Sequence, residues 1–168
     1  MLTDGHVKTA KSFCTLKMSF KFASVNVRRV RDGLRCASTL SSLANVKADL
    51  LFLQECGIPH LTSYRRWSRV WSHGPSIWSG GNDCRSSGLG ILLRGGSFTI
   101  SEVREVVGGR LLIADVTYRN CPLRLINVYA PAVKTERLAV LEQLPQLLTT
   151  SRPVILGGDF SCITDKAD

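Results

Sequence analysis

A chain of 168 residues, 44% hydrophobic and 21% charged, has the size and composition of one globular domain with a core, and is too short for two comfortable ones. No apolar run approaches the ~18–20 residues of a membrane span, so no membrane partner is expected. The opening MLTDGHVKTAKSFCTLKM lacks the basic-then-apolar order of an export signal, and a nuclear or cytoplasmic protein is expected. The formal charge of +9 is uneven: residues 1–80 carry 12 Lys/Arg against 4 Asp/Glu, residues 81–168 carry 10 against 9. Much of the excess sits in RRVRDGLR (28–35) and YRRWSRVW (64–71). Arginines interleaved with Trp67 and Trp71 suit a phosphate backbone with bases stacked on the indoles; the alternative is a solvated basic surface. The six cysteines form no CxxC and no Cys/His cluster, which argues against zinc and for reduced thiols.

In chain order, residues 1–18 show no sustained periodicity and read as a loose leader to a domain over 19–168. FKFASVNV (20–27) predicts a strand, and LRCASTLSSLANV (34–46) a helix with Leu34, Ala37, Leu40 and Ala44 on one side. DLLFLQE (49–55) is a continuous apolar run, as in a strand buried on both faces. Residues 57–87, rich in Gly, Pro, Ser and Trp, read mostly as loop. Strands follow at 88–94, 97–106 and 110–118, the last two joined by a Gly108-Gly109 hairpin turn. RNCP turns the chain into LRLINVYA (123–130). A helix is predicted over 134–148, kinked or ended by Pro145, and PVILGGDF (153–160) closes the series. The outline is α/β with mixed sheet pairing.

Four of these apolar runs end in a polar group: Asn26, Glu55, Tyr129 and Asp159. Strand tips at one sheet edge are where α/β proteins hold ligands. If the strands align, an amide, two carboxylates and a phenol converge, a donor set that suits a hard cation such as Mg²⁺ beside a phosphodiester. Each also has a structural reading. In that reading Asn26 caps a turn, Tyr129 packs in the core with its hydroxyl at the surface, and Asp159 organises the turn after Gly-Gly. Glu55, behind five apolar residues, is costly to bury unless paired or metal-bound.

FASVNV…GLR, LLFLQE, SSGLGILL, GRLLIADV, LRLINVYAP and ILGGDF, in this order across about residues 19–162, resemble the endonuclease/exonuclease/phosphatase superfamily. The likeness is above all to the apurinic-endonuclease-like domain of LINE-type retrotransposon polyproteins. The resemblance implies a four-layered α/β sandwich, two mixed sheets flanked by helices, cutting DNA with Mg²⁺ or Mn²⁺ and needing no small-molecule cofactor. By position Glu55 matches the metal-binding glutamate and Asn26 the asparagine beside that metal. Tyr129 matches the tyrosine on the scissile phosphate, and Asp159 the aspartate that activates water and supports the leaving group. Arg28, Arg29 and Ser161 occupy substrate-binding positions.

The chain departs from the pattern in several places. Ser161 stands where GDFN has asparagine, and its hydroxyl is shorter. Ala132 replaces an asparagine after YAP. Arg28-Arg29-Val30-Arg31 lacks the glycine of an NGLR-like turn, so a positive φ there would strain Arg29. The resemblance implies a late Ser-Asp-His segment, whereas the three histidines here are His6, His60 and His73. The expectation is therefore a domain incomplete at its C-terminus, with cleavage impaired or lost. The alternatives are a nucleic-acid-binding remnant, or a phosphatase or lipid phosphodiesterase of the same fold.

Overall fold

The computed structural model describes residues 21–30, 33–58, 65–81 and 87–161. The leader assigned to residues 1–18, together with His6 and His60, lies outside them.

The apolar runs become two four-stranded sheets. β1 (Phe22–Asn26), β2 (Leu50–Gln54), β3 (Ser76–Ser79) and β4 (Leu89–Leu93) stand in the order β1-β2-β4-β3. β5 (Phe98–Val107), β6 (Leu111–Tyr118), β7 (Cys121–Tyr129) and β8 (Val154–Asp159) stand in the order β5-β6-β7-β8. Only β1/β2 and β7/β8 pair in parallel. A parallel pair needs a crossover. The first is α1 (Gly33–Asn45), and the second is α3 (Lys134–Leu141) with α4 (Leu144–Leu148).

Burial sorts these elements into layers. Leu50, Phe52 and Ile91 of the first sheet meet Leu112, Ala114 and Leu125 of the second. The outer face of the first sheet, through Leu51 and Leu53, packs on Cys36, Leu40 and Leu43 of α1 and on Trp67 of α2 (Arg65–Val70). Ile113, Ile126 and Val128 of the second sheet pack outward on Val140 and Leu147 of α3 and α4. The result is helix, sheet, sheet, helix, the four-layered arrangement expected. β2, sandwiched on both faces, is buried at all five positions, which is why it reads as an unbroken apolar run.

Several local expectations change. The segment 57–87, read mostly as loop, also carries α2 and β3; six and four residues are too few to display a period. The buried stripe of α1 is Cys36, Leu40 and Leu43, and Leu34 is 84% exposed, so the face lies one position from the one predicted. The helix over 134–148 is two helices, and Pro145 sits in the first turn of α4, where its missing N–H costs nothing. The turn before β7 is made by Arg119 and Asn120, with φ of 47° and 68°, and Cys121 and Pro122 already belong to the strand.

Two glycines decide how closely β8 approaches its neighbours. A Cβ on Gly157 would stand 2.5 Å from the Phe52 ring of the facing sheet. Gly158 has φ of 152°, and a Cβ there would collide with the Val128 carbonyl. Gly157 is thus what lets β8 close on the first sheet, and Gly158 what lets it lie against β7 of its own sheet as it delivers Asp159.

Candidate active site

The two sheets end together where β1, β2, β7 and β8 run out. Asn26, Tyr129 and Asp159 are the last residues of their strands, and Glu55 follows β2 by one residue. Tyr129 and Asp159 are register partners across the parallel β7/β8 pair. The Asn26 amide Nδ2 donates to Glu55 Oε1 at 2.9 Å and to Asp159 Oδ2 at 3.0 Å. The Tyr129 hydroxyl donates to Glu55 Oε1 at 2.9 Å. The four side chains therefore form one connected cluster assembled from both sheets, opening beside a cleft of about 430 Å³ lined by Ser24, Asn26, Gln54, Gly158, Asp159, Phe160 and Ser161.

Its donor set fits a divalent cation. Two carboxylates are held by neutral donors, and neither is in an ion pair among the described residues. Asn26 brings them together against their mutual repulsion, and both spent acceptors, Glu55 Oε1 and Asp159 Oδ2, face its amide. Among the described residues no hydrogen bond falls on Glu55 Oε2, which leaves that oxygen for a ligand. Among the described residues no group of three or more His, Cys, Asp or Glu side chains converges, so a cation here would complete its shell with water, as Mg²⁺ does.

Each predicted residue has a definite place. The Asn26 oxygen, expected beside a metal, accepts the Arg28 N–H at 3.1 Å, while its nitrogen holds the two carboxylates together. Ser161 turns back on Asp159, its N–H donating to Oδ1 at 3.0 Å with the hydroxyl at 3.5 Å, and so braces that carboxylate. Arg28 and Arg29 are exposed beside the cluster. The Arg29 N–H donates to the Glu55 carbonyl at 2.7 Å, pinning this turn to the glutamate, which itself has φ of 54°.

Tyr129 is kept a phenol. Burial, then the bond donated to Glu55 and that residue's charge, raise its pKa to about 12, with the neighbouring Arg110 opposing. It is a hydrogen-bond donor at neutral pH, not a nucleophile.

The strain foreseen at Arg29 is present, with φ of 46° at Arg28 and 72° at Arg29. A left-handed residue with a Cβ costs about 1–2 kcal/mol. Arg29→Gly is therefore expected to raise stability by about 0.5–1 kcal/mol, part of the relief being lost to the freer unfolded chain. A lower melting temperature of that variant would count against the strain account.

Trp67 and Trp71 do not form a stacking platform. They are 5% and 3% exposed; Trp67 packs on Trp78 with ring centroids 5.6 Å apart, and Trp71 Nε1 donates to the Leu93 carbonyl at 3.0 Å. Their spacing in YRRWSRVW serves the core under α2. The described histidine, His73, packs edge-on against Trp71, at 5.0 Å between centroids. Sequence reading also missed residues that are present. Arg110 lies over the Tyr129 ring at 4.7 Å, and its carbonyl accepts the Tyr129 N–H at 2.8 Å. Gln54 and Asn127 are buried directly beneath the cluster. The signal for these was a polar residue inside LLFLQE and LRLINVYA, each otherwise apolar.

No protein-family profile matches the chain. Solved structures do. An endonuclease/exonuclease/phosphatase family protein from Bacteroides thetaiotaomicron superposes with a TM-score of 0.67 at 17% identity, over 88% of this chain and 66% of that one. A humanized D. rerio TDP2 gives 0.63 at 23% identity, over 86% of this chain and 63% of that one. D. rerio TDP2 complexed with single strand DNA product gives 0.61 at 25% identity, over 86% and 62%. The chain has the endonuclease/exonuclease/phosphatase fold. In sequence it is similar to a transposon protein, the Transposon TX1 uncharacterized 149 kDa protein of Xenopus laevis, at 28% identity over 157 residues, 90% of this chain and 12% of that one.

Proposed function

We propose that this chain is a divalent-metal-dependent phosphodiesterase domain of the retrotransposon endonuclease kind, acting on DNA. The observation that carries the reading is the Asn26–Glu55–Tyr129–Asp159 cluster at the joint edge of the two sheets. The likeness to a transposon protein and to a fold solved with a single-strand DNA product supports nucleic acid over a phosphorylated small molecule or lipid.

Glu55, with its uncommitted Oε2, would hold Mg²⁺ or Mn²⁺, which when bound polarises the phosphoryl group and stabilises developing negative charge. Asp159, braced by Ser161, accepts a proton from the attacking water. Tyr129 would turn its single phenol proton from Glu55 Oε1 to a phosphate oxygen once a cation occupies that carboxylate, and Arg28 and Arg29 hold the flanking backbone as arginines hold phosphates. Among the described residues no imidazole stands at the cluster, so proton delivery to the leaving oxygen is poorly served. General acid–base groups contribute typically 10²–10⁴-fold, and turnover by this chain is expected to be slow to undetectable.

The test is supercoiled plasmid incubated with the 168-residue chain in Mg²⁺, together with DNA retention without metal. Retention resting on a few arginine–phosphate contacts is expected to fall by about 10- to 100-fold between ~50 and ~200 mM salt. Any nicking should vanish in Asp159→Asn. Faster hydrolysis of a phosphomonoester or an inositol lipid than of DNA would overturn the choice of substrate. Retention that ignores salt would remove the arginine contacts from the reading.

A further inference from the structure

Among the described residues the core between the sheets is mostly apolar; besides Ser79, whose hydroxyl accepts the Gly109 N–H at 3.0 Å, it buries two amides side by side. Gln54 of β2 is 1% exposed and Asn127 of β7 is 0% exposed. Gln54 Nε2 donates to Asn127 Oδ1 at 2.8 Å. Asn127 Nδ2 donates to the Leu53 and Gly90 carbonyls at 3.0 and 2.9 Å, reaching two neighbouring strands of the opposite sheet. On the other flank the Ser24 hydroxyl donates to Gln54 Oε1 at 3.3 Å.

The position of this tie is informative. Gln54 precedes Glu55 and is the register partner of Asn26. Asn127 is the register partner of Gly157. With the period of two along a strand, Asn127 lies on the same face as Tyr129, and Gly157 on the same face as Asp159. The amide pair therefore sits against the cluster, Gln54 level with Asn26 and Asn127 two residues before Tyr129, and joins the sheet that carries Asn26 and Glu55 to the sheet that carries Tyr129 and Asp159. Apolar contacts are non-directional and tolerate small slips between sheets. Amides held by directed bonds at both ends do not, and leaving one unpaired in the interior is costly.

We infer that Gln54 and Asn127 are positioning residues, a buried amide tie that fixes one sheet against the other and so sets the spacing at which Glu55, Asn26 and Asp159 can share a cation. The inference rests on the metal-site reading above. Residues that orient metal ligands from behind are typically worth about 10- to 100-fold in metal affinity.

The experiment replaces both amides by similar-sized apolar groups, Gln54→Leu with Asn127→Leu, in the 168-residue chain. Mn²⁺ alone is the probe, followed by electron paramagnetic resonance beside thermal melting, and the double variant is crystallised. The expected result is a cooperative melt, Mn²⁺ affinity down by about tenfold or more, and loss of the Asn26 bridge between the carboxylates. Metal-free, salt-sensitive DNA retention should be unchanged, since Arg28 and Arg29 lie outside the tie. Wild-type Mn²⁺ affinity in the variant, or an unaltered Asn26–Glu55–Asp159 arrangement in its crystal, would overturn the inference. A wild-type chain that takes up no Mn²⁺ would sink the metal reading by itself, and the crystallographic arm would still decide the tie. If the double variant does not fold, Ser24→Ala frees one end of Gln54 without touching the core. Its Mn²⁺ affinity should fall severalfold, and an unchanged value would again be decisive against the tie.

Discussion

Replacing Glu55 by glutamine is expected to abolish uptake of Mn²⁺ or Mg²⁺ while leaving the fold intact. The residue stands at the end of a fully buried strand, held by Asn26 and Tyr129, and neither neighbour needs its charge in order to fold. A glutamine keeps an oxygen for both bonds and removes the charge that would bind a cation. Metal affinity should fall by at least about 100-fold, the upper end of what even supporting residues contribute. In chelator, the variant should melt no lower than the wild type, because one of two carboxylates sharing a single amide has been neutralised, a repulsion of roughly 1 kcal/mol in a solvated setting. A ligand at 100 times its dissociation constant adds about 2.7 kcal/mol to stability. The wild type should show that rise on adding Mg²⁺, and Glu55→Gln should show none. A full metal-induced shift in the variant would mean that the cation, if any, binds elsewhere.

The same substitution has a signature in alkali. Tyr129 owes its raised pKa first to burial and then to Glu55. Because the folded value lies above the ordinary one, the stability from holding that proton is complete below about pH 10 and is lost as pH rises through about 12. Glu55→Gln keeps the burial but removes the charge, so the phenol should titrate between those two limits. Ultraviolet titration reads this directly. An unmoved transition would show that the carboxylate does not govern the phenol.

How much of this was legible depended on how local the cause was. β2 and β4 are near-continuous apolar runs because they are buried on both faces, and such runs can be read one at a time. The four polar tips were legible because each interrupts such a run at its end, although Asn26 and Asp159 lie 133 residues apart in the chain. Their bond could be expected only by assuming aligned strand ends, an assumption that the resemblance supplied. Gly157 was read only as a residue of the last strand-like run, and its contact with Phe52 of the other sheet is a fact about packing that no window around VILGGD contains. Trp67 and Trp71 misled for the opposite reason: alternation with arginine fits both a stacking surface and a short helix whose indoles face inward, and only tertiary burial chooses between them. Gln54 and Asn127 announced themselves as polar residues in apolar strands, but their partners sit on another sheet.

Far from the site, Asp115→Asn is expected to cost the most stability of any single change considered. Asp115 of β6 faces Arg124 of β7 across the antiparallel register, and the guanidinium grips the carboxylate with both arms, Nε to Oδ1 at 2.7 Å and Nη2 to Oδ2 at 2.8 Å. Arg152 adds a longer contact at 3.6 Å, and Arg124 Nη1 also donates to the Leu147 carbonyl at 3.2 Å, tying the sheet to α4. Asp115 is buried and Arg124 nearly so, at 5% and 12% side-chain exposure; asparagine keeps one acceptor but deprives the guanidinium of its negative partner, a loss of about 1–3 kcal/mol. The bond to Arg124 holds the Asp115 carboxyl below the ordinary carboxylate range. A depressed pKa means that this stability is present above about pH 4 and is lost as pH falls through the lower folded value, where the wild type must protonate a gripped carboxylate. Asp115→Asn should therefore be less stable at neutral pH, and the gap should narrow in acid. Changing both partners at once, Asp115→Leu with Arg124→Met, removes two buried charges together and should restore most of the loss, because apolar replacement of a whole buried pair is often neutral or better. Denaturant melts at pH 7 and pH 3 decide the matter. A double variant as unstable as Asp115→Asn would show that the tie to Leu147, rather than the ion pair, is what the second sheet depends on.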